Sequence, residues 1–143
     1  MSIYDFSAVI AAIQTVNAAI TGVTSAPTAM PAALNDTDLP CALTMVESFT
    51  WSEQAVGLSR RDATYAVRVL VKAVAQGQSI DEGYQNVLTL LQAFWDKYAA
   101  ENDGGRFGGK VEQITEFSGD IAPLTFAGIS YQGFTIRLKV VEK

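Results

Sequence analysis

Histidine is absent from this chain, and cysteine occurs once, at Cys41. Without imidazole there is no His base, no His metal ligand and no Ser-His or Cys-His couple for nucleophilic catalysis. A single thiol excludes an intrachain disulfide and any Cys-x-x-Cys metal or redox motif; beside a proline and an apolar run it reads as a small buried residue. Bases are missing from the whole first part, since the first Lys or Arg is Arg60. Asp5, Asp36, Asp38, Glu47 and Glu53 precede it, so that segment carries the entire formal net charge of −5. Nucleic-acid affinity comes mainly from Lys and Arg contacts to phosphate, so such a chain is a poor DNA binder and a plausible repelling wall. Charge is sparse overall, at 17% of residues, against about 25% in an average globular protein. That favours a subunit that buries surface against partners. A basic leader and a long apolar run are also lacking: Ala8 to Ile20 is interrupted by Gln14 and Asn17 and is too short to span a bilayer. The reading is a soluble protein, cytoplasmic when made.

What is present suits one domain over residues 1–143. Ser2 to Ile20 has helical spacing, with Phe6, Val9, Ile10, Ile13, Val16 and Ile20 as its buried stripe and Gly22 as its stop. Residues 21–40 hold Pro27, Pro31 and Pro40 among Ala, Thr and Ser, and read as a flexible, extended arm. Within it Asn35-Asp36-Thr37-Asp38 looks like the start of a calcium loop but lacks the glycine and distant glutamate of an EF-hand, so a polar turn is expected. Cys41 to Trp51 alternates as a strand, with Leu43, Met45, Phe49 and Trp51 sharing a parity that Glu47 breaks. Ser52 to Arg61 reads as a loop pivoting on Gly57, and Asp62 to Val74 as the clearest strand, pairing antiparallel with the first.

Ser79-Ile80-Asp81-Glu82 has the spacing of a capping box. Behind it Tyr84, Val87, Leu88, Leu91, Trp95 and Tyr98 recur at helical spacing, which places Trp95 in the core and leaves Trp51 as the interface tryptophan. Asn102 to Lys110 is rich in glycine but follows a helix and lacks the Walker spacing, so it reads as a mobile loop and not a phosphate cradle. Val111 to Phe117 and Ile121 to Ser130 are strand candidates around a turn at Ser118-Gly119-Asp120. Tyr131 to Val141 is a half-buried strand whose Arg137 and Lys139 would guard an edge. The expected fold is α+β, a mainly antiparallel sheet of four to five strands with two helices packed on one face. No acid lies in a recognisable catalytic motif. An enzyme is not expected, nor any cofactor or metal.

The order of these parts resembles the tail terminator (tail-completion or neck) proteins of long-tailed bacteriophages. The resemblance rests on the helix and long linker, the Leu39-Pro40-Cys41-Ala42-Leu43 entry to a first strand, the Tyr65-Ala66-Val67-Arg68-Val69 strand, the amphipathic helix and the closing Tyr131-Gln132-Gly133-Phe134-Thr135-Ile136-Arg137-Leu138-Lys139-Val140 run. It implies a structural virion protein of the tail or neck, assembled in the host cytoplasm. It would form a homo-oligomeric ring, typically a hexamer, that caps the tail-tube protein, stops its polymerisation and offers a surface to the head–tail connector protein. DNA would pass through the ring without specific binding. On this reading Trp51, Arg60, Arg61, Arg106 and Phe107 are expected at contacts between subunits or rings, and Asp36, Asp38 and Glu53 at the lumen. The alternatives are a neighbouring tail component, such as a tube protein or head–tail adaptor, and a small-ligand-binding domain or hydrolase.

Overall fold

The computed structural model describes residues 6–55, 58–73, 80–109 and 111–142, with side chains left aside at 36, 54–55, 58–60, 80–83, 103, 105, 108, 112 and 142. Helix α1 spans Phe6–Ala18, and a 3-10 turn at Asp36–Asp38 closes the following arm. Strands β1 (Cys41–Ala55) and β2 (Leu58–Ala73) come next, then helix α2 (Ile80–Ala100). Strands β3 (Val111–Ile121), β4 (Leu124–Phe126) and β5 (Ile129–Glu142) complete the chain. The sheet is antiparallel, ordered β1-β2-β5-β3, with β4 pairing β5. Both helices pack on one face, so the α+β expectation holds.

That face is dictated by alternation. Tyr65, Val67 and Val69 of β2 stand beside Leu138, Ile136 and Phe134 of β5 in the register, and all are buried in the main core. Against them α1 brings Val9 and Ile13, and α2 brings Val87, Leu90, Phe94 and Tyr98. The aromatic rings meet edge to face, Phe94 with Phe134 at 5.5 Å and with Tyr98 at 5.7 Å, the arrangement ring quadrupoles favour. Here the expected stripe of α2 needs correction. Leu90 and Phe94 are inside, whereas Tyr84 and Trp95 are exposed. Val87 and Tyr98 are inside as expected, but one residue turns a helix by about 100°, so Phe94 in place of Trp95 shifts one side of the buried face.

Two polar residues of α1 are also inside. Gln14 donates to the carbonyls of Ala42 (2.8 Å) and Pro27 (2.6 Å), and its own oxygen accepts from Asn17 and from Thr44, both at 2.8 Å. The Tyr98 hydroxyl donates to Asn17. This closed set of bonds ties α1, β1, α2 and the arm at one point, and satisfied buried groups of this kind fix a single packing. The arm is held at further points: Thr24 and Ser25 donate to the Pro40 carbonyl, the Ala42 amide donates to the Ser25 carbonyl, and the Ser25 hydroxyl donates to the Asp38 carbonyl. Leu34 and Leu39 of the arm, with Leu124 and Phe126 of β4, cover a second small core of Cys41, Leu43, Leu70 and Tyr131 on the other face of the sheet.

Other boundaries shift. α1 ends at Ala18, before Gly22. Strand β3 runs through Ser118-Gly119-Asp120 without turning. Gly119 permits this, because a Cβ there would meet the Thr135 carbonyl oxygen at 2.2 Å. The turn comes instead between β4 and β5, where Ala127 (φ 52°) and Gly128 (φ 80°) both lie in the left-handed region that tight hairpins require. β5 is central and not an edge, so Arg137 guards no edge. It lies on the helix-free face, where it pairs with Glu47 of β1 at 3.2 Å and Asp120 of β3 at 3.1 Å.

Candidate functional site

Residues 52–55 and 58–61, expected as part of a loop whose pivot Gly57 lies outside the described residues, instead lengthen the two strands. Trp51 pairs with Arg61, Ser52 with Arg60, Glu53 with Ser59 and Ala55 with Leu58. The pairing of β2 with β5 stops at Asp62 opposite Val141. From Trp51 to Ala55 the hairpin therefore leaves the sheet as a two-stranded ribbon, roughly 15 Å long at ~3.3 Å per residue, with Phe49 at its base. Its facing is set by Glu47, which has no partner in the register between Val46 and Ser48. That bulge moves Phe49 opposite Ala63, a member of the main core, and Trp51 opposite Arg61 on the same side. Simple alternation from Leu43 would have put them on the other face. Phe49 touches Phe6 of α1 at 5.4 Å yet stays 67% exposed, and Trp51 is 60% exposed.

The expected contact residues divide. Trp51 is open on the ribbon. Arg61 is half-buried and has no ion-pair partner among the described residues. Arg60 stands opposite Ser52, with its side chain outside the described residues. Arg106 is exposed. Phe107 is a correction: it is fully buried, stacked edge-on against Tyr98 at 5.7 Å. The glycine-rich segment is not a plain loop but a π turn, Glu101–Gly105, followed by a single turn at Arg106–Gly109. Arg106, Phe107 and Gly109 have φ of 48°, 52° and 76°. The left-handed backbone aims Phe107 inward, and the Glu101 carboxylate accepts its amide at 2.9 Å.

The expected lumen acids divide as well. Glu53 is exposed on the ribbon. Asp38 accepts the Asn35 amide at 2.9 Å and so closes its own turn. The Asp36 side chain lies outside the described residues.

A second surface, which the sequence did not announce, runs between α2 and the free edge of β3. Trp95 packs on Phe117 at 4.6 Å, but 52% of it remains exposed, and Tyr84 and Ile121 are similarly open. Hollows of 230, 360 and 250 Å³ follow one another along this groove. Glu116 and Asp120 border it from β3, but the register sets them opposite Lys139 and Thr135 on the face turned away from α2, where Asp120 pairs with Arg137. Gln132 at one end has a buried side-chain oxygen with no hydrogen-bond partner. An orphaned buried acceptor is costly unless a donor arrives.

Chemistry has little to work with. Among the described residues no group of three or more Cys, Asp or Glu could hold a metal. Burial pushes the Cys41 thiol up from its usual value, a hydrogen bond with Ser25 offsets part of this, and the charge of Asp38 adds to it. A raised pKa keeps the sulfur protonated and unreactive. No helix among the described residues is long and apolar enough to cross a membrane. No protein-family model and no curated protein matches the chain.

Proposed function

We propose that this chain is a ring-forming structural subunit that closes a phage tail tube, stops its growth and presents a docking surface to the head connector. The observation that carries the reading is the aromatic ribbon. A two-stranded hairpin is marginal in water on its own, and Phe49 and Trp51 add apolar area that an isolated monomer gains nothing by exposing. A surface of that kind is made to be covered. The base-free first part of the chain supports the same reading, because a conduit wall rich in Lys and Arg would retain the DNA passing through it. Glu53, exposed on the ribbon, is the acid of the three best placed to face such a lumen.

The test adds the purified full chain to polymerising tail-tube protein. Tubes that stop growing and carry a ring at one end under the electron microscope are expected. Unchanged growth, turnover of a substrate, or tight attachment to duplex DNA at physiological salt would each overturn the proposal.

A further inference from the structure

We infer that Arg137 is a latch for the ribbon: by holding Glu47 outside the ladder it fixes the register of β1, and so decides on which side of the sheet Phe49 and Trp51 are displayed. The Arg137 Nε–H is shared between both oxygens of the Glu47 carboxylate at 3.2 Å, and its Nη1 donates to Asp120 at 3.1 Å. Glu47 belongs to β1, Arg137 to β5 and Asp120 to β3. One side chain thus ties together strands from both ends of the sheet order. To reach Glu47 it crosses β2, a span of about 10 Å between β1 and β5. The residue of β2 in line with Arg137 is Ala66, which is also the partner of Met45. A large side chain there would block the way.

Three features make the held residue decisive. Glu47 is the extra residue of the bulge, so its position marks where the register changes. From Trp51 outward the ribbon has no neighbour beyond β2 to choose a register, and strand pairs of that kind are weakly specified. Phe49 remains 67% exposed even beside Phe6, so burial alone holds the facing weakly. A second irregularity, between Glu53 and Ala55, leaves slack at the tip to absorb a slip of one residue. Returning Glu47 to the ladder sets it opposite Thr64, Phe49 opposite Asp62 and Trp51 opposite Arg60, by continuation of the inner register. Side chains from Ser48 to Glu53 then exchange faces, and Phe49 leaves Phe6. Glu47, Arg137 and Asp120 are all partly exposed, so salt weakens the latch. Ionic strength therefore sets the ribbon's facing.

The latch works within one chain, so it stands or falls apart from tube arrest; for the proposed function it sets the side of the sheet on which another copy is met. Two-dimensional NMR of the full chain reads it through two signals: the cross-peak between the Phe6 and Phe49 rings, and the backbone contact that pairs Trp51 with Arg61. Both are expected in the parent at about 0.01 M salt, where screening acts over ~30 Å, and are expected to fall by at least half at about 1 M, where it acts over ~3 Å. Glu47→Gln is expected to lose at least half of both signals at either salt, with Trp51 pairing Arg60 instead. Asp120→Asn is expected to lose less, because Arg137 keeps Glu47. Glu116→Gln removes an acid of the same face that stands opposite Lys139 and is expected to change neither signal. Thermal melts confirm that each variant folds. Parent signals indifferent to salt, Glu47→Gln with the parent's signals, their loss without the new contact between Trp51 and Arg60, or an equal loss in Glu116→Gln would overturn the inference.

Discussion

Strands β1 and β2 pair from Cys41 opposite Leu70 to Ala55 opposite Leu58, yet the two halves of their hairpin have different neighbours. The inner half, Cys41 to Val46 against Tyr65 to Leu70, has β5 beside it, α1 above it and the small core of Leu34 and Leu39 below. The outer half begins at Trp51 opposite Arg61, where β2 no longer pairs with β5, and runs to Ala55. Both halves are strand-forming by composition. What separates them is burial, which supplies most of the free energy of folding at roughly 25 cal/mol per Å² of apolar surface. The inner half belongs to the cooperative unit, and the outer half rides on it.

The comparison breaks most severely if the shared core is opened. Phe94→Ala removes the ring that joins α2 to β5 through Phe134. A loss of about 3–5 kcal/mol is expected for a buried Phe, read from denaturant unfolding, with inner and outer halves failing together. Next comes the polar knot. Asn17→Ala leaves the buried Tyr98 hydroxyl without its acceptor, which costs about 1–3 kcal/mol. The inner half should loosen at Ala42 and Thr44, which share the knot through Gln14, while the ribbon is left as it was.

The knot also sets a pH response. Burial raises the Tyr98 phenol far above its usual 10, and the hydrogen bond with Asn17 offsets only part of this. The folded state thus holds its proton at a pH where the unfolded chain releases it. The contribution is fully present below the unfolded value of 10 and is lost as pH rises beyond it. Cys41 acts in the same direction, from its usual 9. Melting temperature should be level near neutrality and fall in alkali. Tyr98→Phe should start lower and fall less steeply, and an equal slope in both proteins would refute this assignment.

How much of this could be read from residues alone follows from the same contrast. Where the large apolar residues all fall on one face, as in Tyr65 to Val69 or Phe134 to Val140, alternation reports the strand and its facing directly. The α+β class and both helices were legible for that reason. Legibility failed where a local event breaks the period. The bulge at Glu47 reverses the facing of Phe49 and Trp51 without changing the residue types. The left-handed turn at Arg106 and Phe107 drives an aromatic inward from a glycine-rich segment. Helix α2 has apolar residues on more than half of its circumference, so Trp95 and Phe94 compete for the core on equal terms. Gln14 and Asn17 stay off the buried stripe read from the sequence because their partners come from β1, the arm and α2, up to 81 residues away along the chain. The ribbon was mistaken for a loop because Ser52 to Arg61 is polar, and a strand pair with no core to cover has no apolar alternation to display.

The smallest effect sharpens the comparison most. Trp51→Ser deletes a large aromatic side chain, and in the core such a change would be among the worst available. On the ribbon 60% of it is already in water, and surface changes away from special features stay within about 0.5 kcal/mol. The isolated chain should therefore unfold at nearly the same denaturant concentration as its parent. Amide exchange should show why: protection near the global value along Tyr65 to Val69, and little along Trp51 to Glu53, whose hydrogen bonds open without disturbing the core. Assembly then reverses the order. Once a second copy covers the ribbon, its amides should become protected in the parent and stay exchangeable in Trp51→Ser. A residue that is nearly silent in the folding of one chain and decisive in the joining of two is what an aromatic held out on a self-paired ribbon predicts. Equal protection in the free and assembled parent would show that the ribbon is not where the copies meet.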